Sequence, residues 1–298
     1  MTVVRGLSLD HVGLFVPDIG AAALALEPMG FAATPLTPQQ TAGGPGEPPA
    51  PAGTSNRCIM LAGGYIEVLT ATGDTPVARQ LRAALARYTG LHLIAFGTAD
   101  AAAEHRRLKK AGYEPLPLVP LERPVATDGG EGVARFSVVR VPPGTMAEGR
   151  IQFVQQRTPE LVWQPRFLAH RNRAAALVDV LVCVEDPGEA VQRYARFAGR
   201  PAAGVAPRRW RLVTDRGRVS FMDPTALAAA LPGVAAPALP FIAAVVLASG
   251  DLDITRAVLA AGGVAHRDAA PGIVQVEPPP ALGVTVVFSA LDAASPWG

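Results

Sequence analysis

A chain of 298 residues is long enough for about two domains of ordinary size. Hydrophobic residues make up 49% and charged residues 17%, which excludes a disordered chain and allows a large core. The 27 basic and 25 acidic residues are interspersed, leaving no electrostatic footprint for nucleic acid or a membrane surface. Lys109 and Lys110 are the only lysines, and arginine amid abundant Ala, Gly and Pro is the mark of a GC-rich bacterial genome. Cys58 and Cys183 sit in apolar runs and read as buried free thiols of a reducing compartment. No secretory leader is visible, and the apolar stretch 226–250 is broken by Pro232, Pro237 and Pro240. The expectation is a cytoplasmic protein whose partner is a small-molecule substrate; a homodimer stays open.

Residues 8–17 read as a buried strand with a histidine, His11, at its centre. Residues 18–30 follow as a helix capped by Asp18 and closed near Gly30. The Pro/Gly-rich stretch 35–56 reads as a long loop, able to cover a site as a lid. "RCIMLAG" and "YIEVLTA" then form a hairpin around Gly63 and Gly64. The order repeats in "LHLIAFGTAD", the helix "AAAEHRRLKKAG", and strands at 133–141 and 149–157. A helical linker, 158–174, leads to a third start at 177–200, a hairpin at 209–223, and a fourth unit from Phe241 onward. In the linker, Trp163, His170 and Asn172 could lean over the first site or pack between the halves.

Four copies of a strand–helix–strand–strand–strand unit make an internal repeat. One unit leaves an unburied concave face, so pairing is required for a core. The expected architecture is α+β: four βαβββ modules paired into two cup-shaped domains. Their boundaries fall at 1–157 and 176–298, with a linker at 158–175.

This organisation resembles the vicinal oxygen chelate superfamily, and residues 8–157 are similar to its glyoxalase-like domain. In that superfamily the first and last strands of each module donate metal ligands into the cup. Carried onto this sequence, the resemblance implies a ligand set of His11, Glu67, His92 and Gln152. Alternation places Leu9, Gly13 and Phe15 on the face of His11, Tyr65 and Leu69 with Glu67, and Arg150 and Val154 with Gln152. Ile94 and Phe96 go with His92, whose own direction comes from the resemblance alone. Phe15, Arg57, Tyr65, Phe96 and Arg150 make up the expected substrate-binding set. For Arg57, Tyr65 and Arg150 a solvated strand-edge position is the competing reading. In the second half the matching positions are Asp179, Ser220, Ala243 and Val286, so that domain reads as a degenerate scaffold without metal ligands.

Two imidazoles, a carboxylate and an amide oxygen suit Zn, Ni, Co, Mn or Fe(II). Such an ion would stabilise enediolate-like charge on a substrate with vicinal oxygens, and Glu67 is the available base. The resemblance therefore implies a metal-dependent isomerase, epimerase or lyase. A metal-free protein that sequesters a small molecule is the alternative, and an Fe(II) extradiol-type dioxygenase is a further one. Gln152 stands where those dioxygenases carry glutamate, which counts against the last.

Overall fold

The computed structural model describes residues 6–41, 49–291, 293 and 295–297. Each of four modules opens with a buried strand and an aspartate that caps the helix behind it. The first comprises β1 (Ser8–Phe15), α1 (Ile19–Leu26), β2 (Thr37–Thr41), β3 (Ala50–Leu61) and β4 (Gly64–Ala71). After α2 (Pro76–Leu85), the second comprises β5 (Gly90–Gly97), α3 (Ala101–Lys110), β6 (Val119–Thr127), β7 (Gly130–Arg140) and β8 (Arg150–Gln156). A short α4 (Pro159–Val162) and a 3-10 turn (Pro165–Phe167) form the connection. The third comprises β9 (Ala174–Cys183), α5 (Pro187–Ala198), β10 (Ala202–Ala206), β11 (Arg209–Val213) and β12 (Arg218–Met222). Following α6 (Pro224–Ala230), the fourth comprises β13 (Phe241–Ser249), α7 (Leu252–Ala261), β14 (His266–Ala270), β15 (Ile273–Val276) and β16 (Thr285–Ala290).

Asp18, Asp100, Asp186 and Asp251 each accept backbone N–H bonds at the start of α1, α3, α5 and α7. Each such cap is worth about 1 kcal/mol. Modules pair through their first strands: β1 lies antiparallel to β5, and β9 to β13. Within each module the first and last strands are parallel, β1 with β4, β5 with β8, β9 with β12 and β13 with β16. Each half is thus an eight-stranded curved sheet, and Ile242 opposite Leu91 joins the two. The expected α+β architecture of paired βαβββ modules is what the chain adopts.

The stretch 35–56 departs from the loop expectation. Thr37 pairs with Asn56 and Thr41 with Ala50, making β2 and β3 a ladder; residues 42–48 lie outside the described residues. Pro38 is tolerated because β2 is an edge strand, whose outer side needs no donors, and Pro51 because it lies at the start of β3, ahead of Thr54, where the pairing with β4 begins. Prolines 120 and 124 sit likewise in β6, at the other edge of the same half. These two edges approach one another across the cup, turning an open sheet into a nearly closed one.

Helices α1, α3, α5 and α7 share one apolar core that unites both halves. Phe153 stacks on Phe197 at 4.9 Å between ring centroids, and Phe31 on Phe288 at 5.9 Å. A bidentate ion pair crosses the same junction, from Arg193 to the fully buried Glu148 at 2.8 Å for each bond.

Candidate anion-binding cup

Strand pairing defines which residues occupy equivalent places in the cups. In the first module His11 lies opposite Tyr65 and Gly13 opposite Glu67. In the second, Leu93 lies opposite Arg150 and Ala95 opposite Gln152. Gln152 is therefore the counterpart of Glu67, but the counterpart of His11 is Leu93, not His92. The reason is a bulge: β5 pairs Leu93 with Gly13 and Leu91 with Leu14, leaving His92 as the extra residue. The third module keeps the expected register, with Asp179 at the His11 position and Ser220 at the Glu67 position. In the fourth the equivalents are Ala244 and Val287, one residue beyond the expected Ala243 and Val286.

The N-terminal cup encloses a cavity of about 250 Å³. His11, Glu67, Gln152, Tyr65 and Arg150 line it together, so alternation along β4 and β8 reads correctly. His92 does not line it. Its ring stacks on Tyr88 at 4.1 Å, and Nε2 donates to the Tyr88 carbonyl at 2.8 Å. Nδ1 is buried without a partner, and burial pushes the imidazole down to about 4, so it is neutral.

Three of the substrate-binding expectations also change. Phe15 faces the cup but lies below the cavity, packed with Leu69 and Leu93. Phe96 belongs to the helix-side core, because the bulge reverses the faces expected for Ile94 and Phe96. Leu9 joins that core for the same reason, a second bulge at Asp10 on β1. Arg57 sits between the lining residues Asn56 and Cys58 on the opposite face of β3, its Nη1 bonded to the Thr34 carbonyl at 3.2 Å. The linker residues take the packing role. Trp163 donates to the Leu61 carbonyl, and both His170 nitrogens and the Asn172 amide bond to backbone.

Several cavity groups were not anticipated. Gln39 and Asn56 donate to Glu67 Oε1 at 3.0 and 2.6 Å and fix its carboxylate. Arg140 lies opposite Gln152 across β7 and β8 and donates to its Oε1 at 3.3 Å. Its face was legible, since Phe136, Val138 and Arg140 alternate along one strand. Arg123 enters from β6, a strand hidden in sequence by its prolines. Cys58 also faces the cavity, but burial pushes its thiol up to about 12, which keeps it unreactive.

The lining carries three arginines, Arg123, Arg140 and Arg150, and among the described residues none has a carboxylate within 4.0 Å. Glu122, the other acidic lining residue, is taken by Arg135 at 2.9 Å. Burial, then the neighbouring Arg140, pushes the Arg150 guanidinium down to about 10, with Glu67 opposing. Burial also holds Arg140 below its ordinary range. Tyr65 stays protonated, because burial and the nearby Asp10 and Glu67 raise it far above the ordinary phenol value.

The C-terminal cup is filled with its own side chains. Leu227, Leu231, Phe241 and Trp297 pack against Leu181, Val246 and Val287. Asp179, at the His11 position, is wholly buried and bonded to Arg218 Nε at 2.7 Å and Ser220 Oγ at 3.0 Å.

The chain belongs to the glyoxalase-like family of the vicinal oxygen chelate superfamily. The model of the glyoxalase-like domain matches residues 9–198, almost two-thirds of the chain. No curated protein matches the sequence. Among solved structures, a hypothetical protein from Staphylococcus aureus superposes with a TM-score of 0.67 at 12% identity, over 96% of this chain and 100% of that one. A mutant 4-hydroxymandelate synthase from Streptomyces coelicolor gives 0.61 at 16% identity, over 98% and 94%. The Mn(II)-bound glyoxalase from Novosphingobium aromaticivorans gives 0.53 at 12%, over 97% and 83%. At these identities the likeness is one of fold.

Divalent-metal use therefore occurs among proteins of this fold, and the donors here can be tested against it. The cavity brings together His11, Glu67 and Gln152 of the expected four. Among the described residues no three His, Cys, Asp or Glu side chains stand close enough to share an ion. Three guanidinium groups beside those donors, with Glu67 the one carboxylate acting on all of them, further disfavour a cation. The residues do not fit a four-ligand metal centre.

Proposed function

We propose that the N-terminal cup binds a small anionic molecule, held by arginine side chains instead of a four-ligand metal site. One observation carries this reading: Arg123, Arg140 and Arg150 surround a single cavity whose one free carboxylate, Glu67, is clamped by two amides. A buried charge without a partner costs several kcal/mol, and an anionic ligand supplies the partner. Guanidinium groups match a carboxylate or phosphate through paired N–H donors. Leu69, Leu93, Val138 and Val154 provide an apolar wall for the remainder of the ligand. The buried thiols Cys58 and Cys183 accord with a reducing cytoplasm as the place of action.

The metal-dependent isomerase or lyase reading keeps one specific support, since His11 and Glu67 face the same cavity. Calorimetric titration with acetate, pyruvate, succinate and inorganic phosphate, beside elemental analysis of untagged protein, separates the two. Saturable binding of at least one anion, weakened about tenfold or more in Arg140→Ala and Arg150→Ala, is expected. Indifference to both arginines, or stoichiometric metal lost in His11→Ala, would defeat the proposal.

A further inference from the structure

We infer that Asp10 and His11 work as a pair in which His11 Nε2 removes a proton from a carbon atom of the bound anion. This rests on the anion-binding reading above and adds a reaction to it.

The bulge on β1 makes the pair. Leu9 lies opposite Phe96 and His11 opposite Ala95, so Asp10 is the extra residue. Leu9 and Val12 keep to the helix side, while Asp10 reaches Gln156, the next cup-side residue after Val154 on β8. Bulges re-aim side chains in this way beside functional sites. Asp10 Oδ1 lies 2.6 Å from His11 Nδ1, and both residues are buried. A carboxylate accepts, so Nδ1 carries the hydrogen and Nε2 presents its lone pair. Nε2 has no protein partner among the described residues, and His11 lines the cavity. Tyr65, stacked on the imidazole at 4.4 Å with planes 18° apart, fixes the ring.

No other histidine has this arrangement. His170 spends both nitrogens on backbone, and His92, His105 and His266 each bond a carbonyl away from the cavity. Asp10 is a positioning residue; its two oxygens are also held by Gln156 at 3.2 and 3.4 Å.

The substrate class is a small carboxylate or phosphate with a carbonyl next to a C–H bond. His11 Nε2 takes the proton, the C–H bond breaks, and its electron pair passes to the carbonyl oxygen, where a guanidinium stabilises the charge. Return of the proton to the same carbon completes an epimerisation; where that carbon bears a hydroxyl, delivery of the proton to the former carbonyl carbon, with the hydroxyl proton passing to the former carbonyl oxygen, completes an isomerisation. No oxidant, reductant or co-reactant is consumed.

The test uses the full chain. Bromoacetate is an anion that carries its own electrophile: Nε2 attacks the CH2 carbon and bromide leaves. Peptide mass spectrometry is expected to find His11 carboxymethylated at least tenfold faster than the half-buried His105, and slowed tenfold or more in Asp10→Asn. Two-bond 1H–15N NMR should show His11 as the Nδ1–H tautomer in the unsubstituted protein, and this reading stands even if a variant fails to fold. A 2-oxo acid shown by calorimetry to bind should exchange its C3 protons in D2O, with exchange lost in His11→Gln and reduced in Asp10→Asn. An Nε2–H tautomer, alkylation indifferent to Asp10, or a bound 2-oxo acid that does not exchange overturns the inference. If alkylation depends on Asp10 but not on Arg140, the pair stands and the anion-binding reading falls. A stoichiometric metal that protects His11 from bromoacetate overturns both.

Discussion

Replacing Arg150 with methionine should make the protein more stable and its cup unable to hold an anion. The guanidinium is half-buried, its nearest polar partner is Gln80 Oε1 at 3.4 Å, and it lies 6.0 Å from the Phe15 ring centroid. Burial and Arg140 push it down to about 10, against ~12.5 in water. At ~1.4 kcal/mol per factor of ten, that gap sets a ceiling of about 3 kcal/mol on the cost of keeping the charge. The sign is that of a base disfavoured in its charged form, so the cost is borne in full throughout the neutral range, begins to fall only near pH 10, and is gone only above the unfolded value of ~12.5. Partial exposure screens the cost. The contact with Phe15, worth ~0.5–1 kcal/mol, offsets more of it. A gain of about 1–2 kcal/mol remains for Arg150→Met, whose side chain has similar length and no charge. Urea unfolding at pH 7 should show a higher midpoint with an unchanged slope. Saturating anion should then raise the midpoint of the wild type but not of the variant. An equal or lower midpoint for Arg150→Met would refute the claim that the charge is uncompensated, and retained anion binding would refute its role.

His92 titrates with the same sign but in an acid window. Its folded value of about 4 lies below the ordinary imidazole value of 6.5, so its contribution is full above pH 6.5 and lost as pH falls towards 4. Thermal melts should show His92→Phe losing about 1–3 kcal/mol less than wild type across that window, with anion binding unchanged. Gly13→Ala should cost about 1–3 kcal/mol in chemical denaturation, because its Cβ would stand 2.7 Å from that of Leu93 on the floor of the cup. Glu148→Ala removes the buried one of the two carboxylates that hold Arg193 at the junction of the halves, Glu189 remaining at 2.9 Å, and should cost about 1–3 kcal/mol in the same assay. A loss below 1 kcal/mol would show that the pair contributes little there.

Much of this was legible in the residues. Four aspartate caps, each just after a buried apolar strand, marked the repeat, because capping leaves a local signature that no later packing rewrites. Glu67 and Gln152 were legible for a similar reason: a polar side chain alternating with apolar ones on a strand declares its face. His92 was not. Its run is apolar on both faces, and a bulge of one residue, invisible to any count of hydrophobic positions, decides which side chain enters the cup. Prolines hid β2 and β6 and with them Gln39 and Arg123. Proline argues against a central strand, whereas these are edge strands whose outer side makes no ladder. Asp10 was passed over because it precedes the conspicuous histidine, and nothing in the sequence shows that both side chains turn the same way.

The core that unites the two halves gives the duplication a physical meaning. Phe153 and Phe197, stacked face to face, come from opposite sides of the linker, as do Glu148 and Arg193. Severing the connection at 158–173 would turn each contact into one between separate molecules, and an apolar face on each fragment would meet water. The chain is in effect a dimer tethered to itself, whose two parts meet at an effective concentration set by a short linker and unaffected by dilution. Such a tether frees the halves from being identical. One can fill its cup with Trp297 and Leu231 and serve as a rigid support, while the other keeps its cup open.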